Sequence, residues 1–207
     1  MEITTTLTKK GRINVLADGE YQFTVSSLFW RLNGCAEHAD LTPDALAALA
    51  DAALAEAAYE KALRVLDLRA HAERELLQKL CRDYPREAAE AALARCRENR
   101  LVDDVSFAAA YAEALFRKKG WAPGRIEAAL REKGIDREIA KNAVFALDID
   151  RKNGIINIIN KMRLPERITE KDRQRLIRRL LAAGYTMGEI RETVSFSGGE
   201  EDPPAEI

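Results

Sequence analysis

The spacing of apolar positions changes from a period of two to a period of three or four about 40 residues into the chain. In the first 28 residues, Ile13 and Val15 alternate with polar neighbours, and Tyr21, Phe23 and Val25 do so again after Asp18-Gly19, a strong two-residue hairpin signal. Ile3 to Thr8 is Thr-rich and extended, and Lys9-Lys10-Gly11 reads as a turn. The pattern predicts a small antiparallel sheet of two or three strands. A sheet that small is marginal alone and has to lay its apolar side on something else. Trp30 suits the role of anchor between this sheet and the helices, with a partner contact as the alternative.

From Thr42 onward the pattern is helical. Thr42 is placed as an N-cap with Pro43 in the first helical position, opening an Ala-rich helix expected to reach about Ala58. Leu63, Leu66, Leu76 and Leu80 suit two helices that meet near residues 69–72, and residues 86–99 add a third. Phe107, Ala108, Tyr111 and Leu115 form the next buried stripe. Residues 120–124 break the chain before a helix carrying Ile126 and Leu130. Ile155, Ile158, Ile159 and Met162 make a further stripe, stopped by Leu164-Pro165.

A 50-residue repeat underlies this pattern. Arg125-Ile126, Leu130 and Gly134-Ile135 recur as Arg175-Leu176, Leu180 and Gly184-Tyr185, and Leu76 and Leu80 lie 50 residues before Ile126 and Leu130. The expected organisation is an N-terminal β extension over 1–40, the Ala-rich helix over 41–58, helical repeats over 57–103, 104–150 and 151–197, and an acidic tail over 198–207. A unit of two or three short helices cannot bury its apolar face alone, so the expected fold is mainly α, with three tandem units stacked into an elongated, curved array. Local signals mark the helix ends. Gly134 suits a left-handed cap, and Asp103-Asp104 and Asp136 suit helix starts. Thr169 with Asp172, and Thr186 with Glu189, match the capping box.

Composition narrows the class. The 207 residues are 47% hydrophobic and 32% charged, the balance of a helix-rich globular chain, and the apolar stretches fall short of about 20 uninterrupted residues. Neither a signal peptide nor a membrane span is expected. Cys35, Cys81 and Cys96 are odd in number and lack CxxC spacing, which argues against a disulfide framework or a zinc site and fits a reducing cytoplasm. His38 and His71 stand apart from any metal-ligand spacing, and no phosphate loop, nucleophile elbow or HExxH is present. Asp103 and Asp104 precede a buried stripe and have no histidine nearby, so capping outweighs acid–base chemistry. The expectation is a protein that is not an enzyme and needs no cofactor or metal.

Charge is unevenly distributed. Residues 151–197 carry 11 Lys and Arg against 5 Asp and Glu, a net of +6, whereas residues 1–58 carry 4 against 8, a net of −4. Glu200, Glu201, Asp202 and Glu206 make the tail acidic. On a helix over about 171–183, Leu176, Ile177, Leu180 and Leu181 share one face, and Lys171, Arg175, Arg178 and Arg179 fall on the other side. That cationic face suits phosphates or acidic side chains, and a solvated helix face is the plain alternative. Arg117, Lys118 and Lys119 beside Trp121 form a second candidate. An aromatic with basic neighbours is a common interface anchor, although cations also suit a helix C-terminus.

Taken together, Ala62-Leu63, Leu66, Arg69, Glu75-Leu76, Lys79-Leu80, Leu101-Val102-Asp103-Asp104, Phe107-Ala108, Tyr111, Gly120, Arg125-Ile126, Leu130 and Lys133-Gly134-Ile135 resemble the RecX family of recombinase regulators. The resemblance covers about 57–195 and is best in the first two repeats. The strand residues Gly11-Arg12, Asp18-Gly19-Glu20-Tyr21 and Phe23 resemble an extension carried by some members. The resemblance implies a protein, expected to be a monomer without membrane association, that binds the RecA nucleoprotein filament and inhibits strand exchange, ATP hydrolysis and co-protease activity. A contact with DNA stays open. The chain departs from the family pattern at Asp83-Tyr84-Pro85, where a Lys-Gly pair is usual, so the turn there is expected to differ. Alternatives from the residues alone are a direct binder of single-stranded nucleic acid and a general helical-repeat scaffold.

Overall fold

A computed structural model describes residues 1–34, 36–165 and 168–194. Cys35 and the acidic tail over 198–207 lie outside the described residues. The chain forms two units, Met1–Phe107 and Ala108–Ile207, with the division falling inside one helix.

The first unit opens with strands β1 (Ile3–Leu7), β2 (Arg12–Ala17) and β3 (Glu20–Ser26), antiparallel in that order. Asp18 and Gly19 both have positive φ, as the tight β2–β3 turn requires. A bulge shifts the register, so that Val15 faces Phe23 while Leu16 faces Tyr21. The extra residue inverts the alternation beyond it. Val25 is therefore buried and Phe23 partly so, whereas Tyr21, expected on the same face, is 61% exposed.

Helix α1 (Ser27–Asn33) follows directly, capped by the Ser26 hydroxyl accepting from the Phe29 amide at 3.0 Å. No break in the apolar pattern separates it from β3. The sheet packs Ile3, Val15, Ala17 and Val25 on Phe29, Leu46 and Ala53, with Trp30 partly buried against the same cluster, in the anchoring position expected of it.

Helix α2 (Pro43–Leu68) starts at the Thr42 cap but does not end near Ala58. It runs on to Leu68, 26 residues in all, because nothing between Ala58 and Leu68 breaks a helix. Its second half belongs to the next core, where Ala58 and Ala62 meet Leu76 and Leu80 of α3 (Glu73–Leu80) and Ala89, Ala92, Leu93 and Cys96 of α4 (Arg86–Glu98). Alanines on α2 allow this close approach, and Leu63, expected in the stripe, is 40% exposed. The turn after α3 contains no positive-φ residue, and the Tyr84 amide instead donates to the Leu80 carbonyl at 3.1 Å. The Asp83-Tyr84-Pro85 segment thus turns without a left-handed residue.

Asp103 caps α5 (Asp104–Lys119), accepting from the Val105 amide at 2.9 Å and the Ser106 hydroxyl at 2.6 Å. Those hydrogen bonds hold its carboxyl below the usual carboxylate range. Asp104 accepts from the Glu73 amide at 2.9 Å and so caps α3. Both aspartates serve helix starts.

In the second unit, α6 (Pro123–Glu132) and α7 (Arg137–Ala146) complete one three-helix set with α5, and α8 (Arg151–Met162), α9 (Glu170–Ala182) and α10 (Met187–Thr193) form another. The chain break before α6 is shorter than expected, since the helix begins at Pro123 and includes Gly124. Both capping boxes, at Thr169 and Thr186, are formed. The 50-residue repeat is visible in the backbone. Gly134 (φ 91°) and Gly184 (φ 94°) end α6 and α9 with the same pair of hydrogen bonds, Ile135 to Leu130 at 3.2 Å and Tyr185 to Leu180 at 3.1 Å being the longer-range members.

Candidate functional site

The α5–α6 turn is pinned to the α8–α10 set. The buried Tyr185 hydroxyl donates to the Gly120 carbonyl at 2.7 Å, and the Ala122 amide donates to the Ala183 carbonyl at 2.9 Å. Ala122 joins a core of Ile155, Ile158, Leu176, Leu180, Ala183, Tyr185 and Ile190, with Trp121 packed at its margin. Burial pushes the Tyr185 phenol up to about 12. It therefore stays a neutral donor across the physiological range.

At that margin lies a concave site of about 430 Å³ lined by Lys118, Lys119, Trp121, Ile158, Lys161, Arg179, Ala182 and Ala183. Lys119 Nζ lies 4.2 Å from the Trp121 ring centroid and Arg125 Cζ 4.9 Å from it. The Lys161 ammonium donates to the carbonyls of Arg117 at 3.1 Å and Lys118 at 2.7 Å, and the Asn157 side-chain amide donates to Arg117 at 3.3 Å. These close the C-terminus of α5, whose last carbonyls lack partners within the helix. Lys161 thus fixes the backbone that carries Lys118 and Lys119. Among the described residues, no carboxylate pairs with Lys118, Lys119, Lys161 or Arg179.

The structure therefore unites one member of the first sequence candidate with the second. Arg179, on the flank of α9, joins Lys118, Lys119 and Trp121 at the concave site. Lys171, Arg175 and Arg178 are exposed along the rest of α9, where the Arg178 guanidinium donates to the Gln174 carbonyl at 3.3 Å. Arg117 points to Glu113 at 4.0 Å. Leu176 and Leu180 are buried as expected, but Leu181, placed on the same apolar face by the sequence reading, is 44% exposed, because the α9 core face centres on Leu176, Leu180 and Ala183. Lys161 and Arg125 were not among the sequence candidates. Arg125 lies four residues after Trp121 and could have been found from that spacing, whereas Lys161 is brought in only by tertiary packing.

The remaining chemistry is sparse. Among the described residues, no group of three or more His, Cys, Asp or Glu is placed to hold a metal ion, and no helix is long and apolar enough to cross a membrane. Cys81 and Cys96 are free thiols, and burial raises the Cys96 thiol above its ordinary value. Fold and site define a class: a protein of three-helix modules whose candidate site is a cationic recess beside an aromatic ring.

Comparison with known proteins supplies the family. Residues 58–96 match the family model described as the first three-helix domain of RecX, and residues 103–144 match the second. Over 154 residues the chain is 33% identical to "Regulatory protein RecX" of Escherichia coli (strain K12), an alignment covering 64% of this chain and 87% of that one. It is 32% identical over 128 residues to "Regulatory protein RecX" of Limosilactobacillus reuteri (strain DSM 20016), covering 61% of this chain and 48% of the relative, so it spans about half the length of that protein. A solved structure described as regulatory protein RecX superposes with a TM-score of 0.67 at 24% identity, covering 93% of this chain and 98% of that one. RecX from Lactobacillus salivarius superposes at 0.56 with 21% identity, over 69% and 95% of the two chains. These two superpositions show the fold. The chain belongs to the RecX family of regulatory proteins.

Proposed function

We propose that this protein is a non-enzymatic regulator that binds the RecA–DNA filament and inhibits its recombinase, ATPase and co-protease activities. The observation that carries this reading is the convergence of Lys118, Lys119 and Arg179, cations with no carboxylate partner among the described residues, on one recess beside Trp121. A surface that keeps several charges unpaired is electrostatically unfinished and favours a partner of opposite charge. Family membership and the RecX resemblance of the sequence support the filament as that partner. Lys171, Arg175 and Arg178 extend the same cationic surface along α9.

In this reading, residues 57–103, 104–150 and 151–197 act as three tandem modules in a monomer, each able to touch a different part of a repeating partner. Binding that spans neighbouring protomers shifts the filament toward the geometry it fits best, because unequal affinity for two states moves their populations. Inhibition then needs no chemical step. Co-sedimentation with RecA assembled on single-stranded DNA tests the reading. Arg175→Glu with Arg178→Glu is expected to lower the bound fraction several-fold at moderate salt while leaving the helical circular dichroism unchanged. Unchanged binding by this double variant would remove α9 from the interface.

A further inference from the structure

The recess beside Trp121 has a composition that discriminates between kinds of anion. Its floor is apolar, made by Ile158, Ala182 and Ala183, and its rim is cationic, with Lys118, Lys119 and Arg179 arriving from two helices distant in sequence. Two cations already stand over the Trp121 ring, at 4.2 and 4.9 Å. Binders of single-stranded nucleic acid combine a basic track with aromatic faces open to bases. Here the ring is occupied as a support for Lys119 and Arg125, and among the described residues no second aromatic lines the half-open recess for a base to stack on. A phosphate backbone would leave the apolar floor uncovered. An acidic protein segment would cover it, with an aliphatic side chain on Ile158 and the alanines and with carboxylates on the rim.

We propose that this recess is the docking point for an acidic segment of a partner protein, one that presents an aliphatic side chain flanked by Asp or Glu. The inference rests on the filament reading above and assigns this site to the protein component of the filament, not to its DNA. Arg179 can donate two parallel hydrogen bonds to a carboxylate, and Lys118 and Lys119 act as point charges on a backbone fixed by Lys161.

Carbodiimide coupling tests it, because the reagent joins a carboxylate directly to a lysine amine in contact with it. The full-length protein is mixed with RecA filaments on single-stranded DNA, coupled, digested and mapped by mass spectrometry, with co-sedimentation measured on the same sample. The expected result is amide cross-links from Lys118 or Lys119 to Asp or Glu of the recombinase, with a yield lowered about tenfold or more by Arg179→Glu. Arg179 is exposed, so that change leaves the core intact, which an unchanged melting temperature checks. Co-sedimentation without coupling at Lys118 or Lys119 overturns the acidic-segment assignment and leaves the filament reading standing. Photocross-linking of Trp121 or its neighbours to the DNA overturns it in favour of nucleic acid. Loss of co-sedimentation by the unmodified protein overturns both.

Discussion

Among the described residues, His71 is the buried side chain whose polar needs are only half met. Its Nδ1 lies 2.9 Å from the Arg69 carbonyl, which can only accept, so the ring proton sits on Nδ1 and the lone pair of Nε2 finds no partner among those residues. Burial holds its pKa below the ordinary value of about 6.5. The folded state thus prefers the neutral ring, and the unfolded chain takes up the proton first as pH falls. Stability from this group is complete above about pH 6.5 and is lost as pH drops through the unfolded and then the lowered folded value. Asp104, raised by burial, acts in the opposite sense but lower on the scale, near the ordinary carboxylate range. Urea midpoints between pH 8 and pH 5 should therefore fall further on the acid side for the native protein than for His71→Phe, while His38, raised by its hydrogen bond to Glu2, acts in the opposite sense in both. A parallel acid limb in both would discard the account of His71. Tyr185 makes a second prediction at this scale. Tyr185→Phe removes the only donor to the buried Gly120 carbonyl seen among the described residues, and should cost about 1–3 kcal/mol by chemical denaturation. A neutral substitution would mean that water replaces the hydroxyl.

The helix ends were the most legible elements, since their chemistry is local. Thr42, Asp136, Thr169 and Thr186 all cap as their side chains predict. Gly134 and Gly184 carry out the same left-handed termination 50 residues apart. Gly184 adds a close approach, because a Cβ there would lie 2.8 Å from the Arg125 Cβ. Gly184→Ala accordingly combines an unfavourable φ with a clash, and should lower stability by about 2 kcal/mol or more in thermal or urea melts. A change under about 0.5 kcal/mol, within the range of an ordinary surface substitution, would contradict the packing described for α6 and α9. Elements decided by packing were less legible. The exposure of Tyr21 depends on a bulge with no sequence signature, and the continuity of α2 past Ala58 depends on the absence of a breaker rather than the presence of a signal. The recess was legible as two separate basic clusters. Their meeting through Arg179, and the role of Lys161 in closing α5, required contacts across more than 40 residues of chain.

At the scale of the molecule, charge and fold divide the work. The −4 of residues 1–58 and the +6 of residues 151–197 nearly offset in a chain of net charge −1, so net charge gives no hint of the cationic surface on the second unit. The first unit uses its charges internally, as in Arg69 with Glu75 at 2.7 Å and Arg12 with Glu60 at 2.8 Å, and in the pairings of Arg95 with Glu56 and Arg97 with Glu73. In the second unit, Lys118, Lys119 and Arg179 beside Trp121 have no carboxylate partner among the described residues. In the proposed function, this surface acts by binding. The most direct measurement is the DNA-dependent ATPase of RecA with the protein added in stoichiometric amount, beside a variant carrying Lys118→Glu, Lys119→Glu and Arg179→Glu. The account predicts that the native protein suppresses ATP hydrolysis and that the folded triple variant does not. An ATPase rate untouched by the native protein would contradict it.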